Sequence, residues 1–189
     1  MQCFTQIGFS QNSSEVDNIL QELDTCDISF NNDQHKYNSL ALCHRDDINV
    51  VEYDHSSCFS IMKFEKSCFI EKQLCLLLLY RNSRTPLNVF SCQLSNFIRS
   101  FKIDIILGDF NINAFEEEAY SSLLDVMNGY EMVVDFPTHI DGGLLDHIYL
   151  HTELLEQFDV QVLRKMVNFS DHDAVKVKLT AKETDNDNF

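Results

Sequence analysis

The sequence predicts an α/β fold in which packed sheets are flanked by helices. Leu74 to Tyr80 is continuously apolar, and Ile103 to Leu107 reads the same way around Asp104. Such runs mark strands covered on both faces. Apolar stripes at helical spacing lie between and after them. Near the end, Val175, Val177 and Leu179 alternate with Lys176 and Lys178, the pattern of a strand with one wet face. Covered strands interleaved with amphipathic helices require sheets buried between layers.

The elements follow in order. Ser13 or Ser14 caps a short helix with Val16, Ile19, Leu20 and Leu23 on one face. Ser39 to His44, Ile48 to Tyr53 and Cys58 to Phe64 read as consecutive antiparallel strands, leading into the strand at Leu74. Thr85-Pro86 opens a helix, proline being tolerated in the first turn, and Leu87, Phe90, Leu94, Phe97, Ile98 and Phe101 form its stripe. After the Ile103 strand, Asn113 with Glu116 has the form of a capping box, followed by Phe115, Ala119, Leu123, Leu124 and Met127. Leu145 to Leu150 and Val160 to Arg164 are further strands. With five glycines, two prolines and no linker, residues 1–180 read as one domain and 181–189 as a disordered acidic tail.

The 189 residues, 44% hydrophobic, suffice for one sizeable core. The run Leu74 to Leu79 is too short to span a bilayer, and no signal peptide follows Met1. Seven cysteines without a CxxC pair read as reduced thiols of an intracellular protein, cytoplasmic or nuclear. The net charge of −16, from 14 Lys plus Arg against 30 Asp plus Glu, suits a metal site and opposes firm nucleic-acid binding.

Three segments carry chemistry. In Gly108-Asp109-Phe110-Asn111 an apolar strand ends in glycine, and period two would put Asp109 and Asn111 on one side. In Leu145-Asp146-His147-Ile148 an acid enters an apolar strand, where it can hydrogen-bond a loop or orient a catalytic histidine. In Ser170-Asp171-His172-Asp173 two carboxylates flank an imidazole. Taken singly, the first and third are also readable as polar turns. A zinc site from His139, Asp141, His147 and His172 matches no known motif spacing.

In this order and spacing, GDFN, LDHIYL and SDHDAV resemble the endonuclease/exonuclease/phosphatase superfamily, which includes deoxyribonucleases, apurinic endonucleases, inositol polyphosphate phosphatases and retroelement endonucleases. The resemblance spans Gln2 to Leu179, with strong motifs only after Leu107. It implies a four-layer α/β/β/α sandwich of two packed mixed sheets. It implies that Asp109 orients or deprotonates the attacking water, and that Asn111 donates to the scissile phosphate. His172 would contact the phosphoryl oxygens with Asp146 behind it, and Tyr80 would lie near the phosphate. Asp171 would sit at a Mg2+ site, with Mn2+ as a substitute ion. Thr138 matches a threonine that supports the LDHI strand.

The chain departs from the pattern at its start. Phe4-Thr5-Gln6 matches the family's second element, with Gln6 at the position of a metal-binding Glu, and the family's first strand and helix have no counterpart. A neutral amide weakens a site for a hard cation. The expected function is therefore a Mg2+-dependent, nuclease-type phosphodiesterase impaired by Gln6 and the missing strand. Its substrate would be a nucleic acid weakly held by an acidic chain, with no role for a membrane. The alternatives are an inactive relic or interaction domain, as in mobile elements, and an inositol-phosphate or lipid phosphatase of the same fold.

Overall fold

The computed structural model describes residues 74–168 and 170–182 in full, together with the backbone of five strands at 2–5, 26–32, 39–45, 50–55 and 59–64. Gln6, the helix expected after Ser13 or Ser14, and residues 183–189 of the expected tail lie outside the described residues.

The first five strands are β1 (Gln2–Thr5), β2 (Cys26–Asn32), β3 (Ser39–Arg45), β4 (Val50–His55) and β5 (Phe59–Phe64). Next come β6 (Leu74–Tyr80), helix α1 (Leu87–Ser100), β7 (Ile105–Asp109), helix α2 (Glu117–Leu124) and β8 (Tyr130–Met132). The chain continues through β9 (Asp146–His151), helix α3 (Thr152–Gln157), β10 (Phe158–Lys165) and β11 (Ala174–Ala181). A six-stranded sheet has the order β4-β5-β6-β7-β9-β8. Within it β6 and β7 are parallel, joined by α1 as the crossover a parallel pair requires, and the other pairs are antiparallel. Two smaller sheets have the orders β1-β3-β2 and β10-β11.

The two faces of the large sheet explain why β6 carries no polar alternation. Leu77 and Leu79, with Ile106 and Tyr149, pack on Phe90 and Leu94 of α1 and Leu123 of α2. One residue out of phase, Ile105, Leu107, Ile148 and Leu150 meet Val160 and Val162 of β10 and Val175, Val177 and Leu179 of β11. Helices therefore cover one face and strands the other. The lysines between these valines stay on the outer side, as the alternation predicts. Phe90 and Leu94 are fully buried, and each such burial contributes about 1.5–3 kcal/mol. Strand β1 lies against β6 and β7, and β3 lies against β6. Among the described residues β1 pairs only with β3, and β11 only with β10.

Several boundaries differ from the sequence reading. Strand β7 begins two residues later than expected, because Asp104 leaves the strand to brace it. Its carboxylate accepts the Cys75 N–H at 2.8 Å and its own N–H donates to the Cys75 carbonyl at 2.8 Å. Pro86 is the residue before α1 rather than its first turn. Asn113 and Glu116 do meet, Nδ2 donating to Oε1 at 3.0 Å, but not as a helix cap. The Asn113 side-chain oxygen instead accepts from Phe115 N and Leu144 N, so it braces two loops, and α2 starts only at Glu117. The helix stops at Leu124, and Met127 reaches the core from the following turn.

Candidate active site

Three adjacent strands deliver their polar ends to one edge of the large sheet. Tyr80 of β6 is in parallel register with Asp109 of β7, and Asp109 is in antiparallel register with Asp146 of β9. The close approach depends on Gly108. Its φ is +147°, and a Cβ there would overlap the Leu79 carbonyl oxygen of the neighbouring strand.

Past Asp109 the chain turns. Asn111 has a φ of 48°, the left-handed region that asparagine tolerates best among side-chain-bearing residues. Asp109 and Asn111 thus meet through this turn and not through strand pleating, which corrects the period-two expectation. Asn111 N donates to Asp109 Oδ1 at 2.8 Å, and Asn111 Nδ2 donates to Asp109 Oδ2 at 3.0 Å and to the Arg81 carbonyl at 2.8 Å. Arg81 closes the same knot: its guanidinium donates to the carbonyls of Asn111 at 2.9 Å and Thr85 at 2.7 Å, and its backbone N–H donates to the Asp109 carbonyl at 2.8 Å.

The second half of the site comes from two loops joined by a short bridge between His139 and His172. Ile140 N donates to the Asp171 carbonyl at 2.8 Å, and Asp173 N to the Thr138 carbonyl at 2.7 Å. The fully buried Thr138 accepts from Leu145 N at 3.1 Å and Asp146 N at 3.0 Å through its hydroxyl, which fixes the start of β9. This places Asp146 Oδ2 2.7 Å from His172 Nδ1, a charge-assisted contact. On the far side of the loop, Arg164 pairs with Asp173.

The electrostatics follow from burial and these pairs. Asp109 is 1% exposed. Burial first, then the neighbouring Asp146 charge, pushes its pKa up to about 7, against the pull of the Asn111 hydrogen bond and the charges of His172 and His139. The hydrogen bond to Asp146 raises His172 to about 9 despite desolvation, so it is a cation at neutral pH. His147 behaves oppositely. It is buried against Phe110, its Nε2 contacts the Ile112 and Leu144 carbonyls, and desolvation lowers its pKa to about 4. It is a neutral core residue, outside any solvent-facing site.

Tyr80, Asp109, Asn111, Asp146, Asp171 and His172 thus lie on strands and loops at one end of the sheet. Tyr80 and Asp109 are buried, whereas the Asp171 side chain is 67% exposed. Gln6 lies outside the described residues. Arg81 gains importance only from the structure, and His139, which the sequence offered only within a zinc grouping, gains its place beside His172. Arg81 could have been suspected as a charged residue directly after a buried strand, where it must find partners. His139 is brought to His172 by a non-local bridge that no local pattern announces. Among the described residues no helix is long and apolar enough to cross a membrane.

With a mixed sheet, helices on one of its faces and a second layer of strands on the other, the chain has the deoxyribonuclease-like fold of the endonuclease/exonuclease/phosphatase type, as its structural likeness shows. The endonuclease domain of TRAS1, a telomere-specific non-LTR retrotransposon, is similar to it in structure at a TM-score of 0.68 and 16% identity, over 84% of this chain and 80% of that one. CdtB, the biologically active subunit of cytolethal distending toxin, matches at a TM-score of 0.48 and 18% identity, over 79% of this chain and 65% of that one. Compared by sequence, the chain matches no family profile and no curated protein.

Proposed function

We propose that residues 1–180 form one catalytic domain that hydrolyses phosphodiester bonds of nucleic acid with the help of a divalent cation, Mg2+ or Mn2+. The observation that carries this reading is the pairing of an Asp146-held His172 cation with a buried, Asn111-held Asp109 at the same sheet edge. The endonuclease fold of the TRAS1 domain supports it.

Each residue has a role that its surroundings suit. Asp109, with a pKa near 7, is matched to accept a proton from an attacking water at neutral pH. His172 donates from Nδ1 to Asp146, which leaves Nε2–H to donate to a phosphoryl oxygen as negative charge builds there. Asp146 is a positioning residue: it sets the ring's orientation and keeps it cationic. The Asn111 amide holds Asp109, and its hydrogen on Asp109 Oδ2 is the one that can turn to the phosphate. Tyr80, at the end of β6 in register with Asp109, is the residue expected near the phosphate. Asp171, an exposed carboxylate 3.5 Å from His139 Nε2, suits one ligand of a hard cation, and Gln6 is the second ligand expected from the sequence. A cation held there would supply charge neutralisation at the phosphoryl oxygens and help for the leaving oxygen.

Two further properties belong to this proposal. The net charge of −16 means that nucleic acid is held weakly. Seven cysteines without a CxxC pair support residence in the reducing interior of the cell, in cytoplasm or nucleus. The alternative of an inactive relic or interaction domain rests on Gln6, whose neutral oxygen holds Mg2+ less well than a carboxylate.

The test is cleavage of a plasmid and of a single-stranded oligonucleotide, in Mg2+ and in EDTA, by the chain, Gln6→Glu and Asp109→Ala. Slow Mg2+-dependent cutting, faster in Gln6→Glu and abolished in Asp109→Ala, is expected. Equal activity in EDTA would defeat the metal-assisted reaction. Inertness of the chain and of Gln6→Glu alike would favour the relic reading.

A further inference from the structure

The loop bridge that completes the candidate active site also assembles a nitrogen-rich cluster. His139, Asp171 and His172 each offer one ligand atom, and these atoms all lie within 4.8 Å of one another. Mg2+ is a hard cation that prefers oxygen, and two imidazoles with one carboxylate do not suit it. The set suits a borderline cation that takes imidazole readily, with Zn2+ as the type case. We propose that His139, Asp171 and His172 bind one Zn2+-class ion, leaving its fourth position open.

The surroundings of both rings fit this assignment. In metal-bound histidines the second ring nitrogen commonly donates to a carboxylate, which fixes the ring and strengthens the ligand. His172 has that arrangement already, with Nδ1 on Asp146 at 2.7 Å, so Nε2 is the nitrogen left for the metal. His139 Nδ1 lies 3.5 Å from the Asp141 carboxylate, so a metal on Nε2 would direct the Nδ1 proton to a second carboxylate in place of the Asp141 N–H now aimed at it. His139 Nε2 and Asp171 Oδ2 are 3.5 Å apart. Ligands about 2.0–2.1 Å from a tetrahedral ion stand roughly 3.3 Å from one another, so that edge is near its bound length. The widest separation among the three ligand atoms must close by at most roughly 1.5 Å. The rings of His139 and His172 are 4.9 Å apart and near perpendicular, with backbones locked by the bridge. His147, grouped with these histidines by sequence alone, is excluded by its burial in the core.

The same loops thus carry two chemistries that share Asp171 and the His172 Nε2. A bound Zn2+ takes the nitrogen that the proposed reaction turns to the phosphate, so zinc and the His172–phosphate hydrogen bond exclude one another. This consequence rests on the proposed nuclease function; zinc binding itself does not.

The experiment is a Zn2+ titration of the 189-residue chain against a chromophoric chelator, with His139→Gln, Asp171→Asn and, as a histidine removed from the cluster, His151→Gln. One Zn2+ per chain is expected, bound at least tenfold more weakly by His139→Gln and by Asp171→Asn and unchanged in His151→Gln. Imidazole nitrogen NMR of the unmodified chain supplies a readout free of any folding defect in the variants. One equivalent of Zn2+ should shift Nε2 of His139 and His172 and leave His151 unmoved. Equal affinity in folded His139→Gln, or Zn2+ shifts absent from His139 and His172, would overturn the site. Neither readout depends on cleavage, so an inert enzyme that binds zinc at these residues would count against the nuclease reading alone.

Discussion

At the scale of the residue, two shifted acid–base groups define the site, and each has a pH signature. His172 has a folded pKa near 9 against an ordinary 6.5, so its stabilising contact with Asp146 is complete below about 6.5 and is lost as pH rises through 9. Titrating the His172 ring by proton NMR should give a midpoint near 9, falling by more than one unit in Asp146→Asn. Thermal unfolding should show that variant less stable by about 1.5–3 kcal/mol at low pH and close to the parent at high pH. A midpoint near 6.5 in the parent would show that the pair does not form. Asp109 is also raised, from 3.8 to about 7, but as an acid its folded state favours the neutral form, so its ionisation costs stability as pH climbs from about 4 to 7. Asp109→Asn should flatten that part of the stability–pH curve. The proposed mechanism needs ionised Asp109 and cationic His172, so cleavage should rise through pH 7 and fall through pH 9, and a rate still climbing beyond 9 would remove the cationic role of His172.

Elements show how far pattern alone reaches. Strand β6 was legible because seven residues without a polar break, Leu74 to Tyr80, need cover on both faces, and the structure supplies helices on one side and strands on the other. The Val175, Val177 and Leu179 alternation located β11 for the complementary reason. Strand β8 was missed because three residues, Tyr130 to Met132, carry too little periodicity, and α3 because six residues make less than two turns. Strand β2 does alternate, Ile28 and Phe30 against Asp27, Ser29 and Asn31, but its polar ends hide the signal. The turn after β7 was half legible: Gly108 and Asn111 stand out, yet the left-handed φ that joins Asn111 to Asp109 is a backbone property that no pleat rule supplies. Gly108→Ala should therefore cost at least about 2–3 kcal/mol in urea unfolding, since a methyl group meets the Leu79 carbonyl. Thr138→Val, which leaves the partly buried N–H groups of Leu145 and Asp146 without their acceptor, should cost about 1–3 kcal/mol and loosen the Asp146–His172 pair. A parent-like urea midpoint for Gly108→Ala would mean that β6 and β7 are not held so closely.

At the scale of the whole molecule, the fold brings residues from positions 80 to 172 to one sheet edge, and this long-range gathering is what three short motifs in fixed order announced. His139 escaped that announcement because it belongs to none of the motifs and arrives through a bridge between two loops. In the proposed function Asp109 with Asn111, and Asp146 with His172, act as one phosphodiesterase site. Groups acting as a unit lose their effect together, so their removals do not add. The most direct measurement is Mg2+-dependent plasmid nicking by Asp109→Ala, Asp146→Ala and the double variant, in a Gln6→Glu background that strengthens the expected metal site. Each single variant should lose roughly 10²–10⁴-fold in rate, and the double variant should fall no further than the worse of the two. Full activity in either single variant, or losses that multiply in the double, would contradict a single shared site.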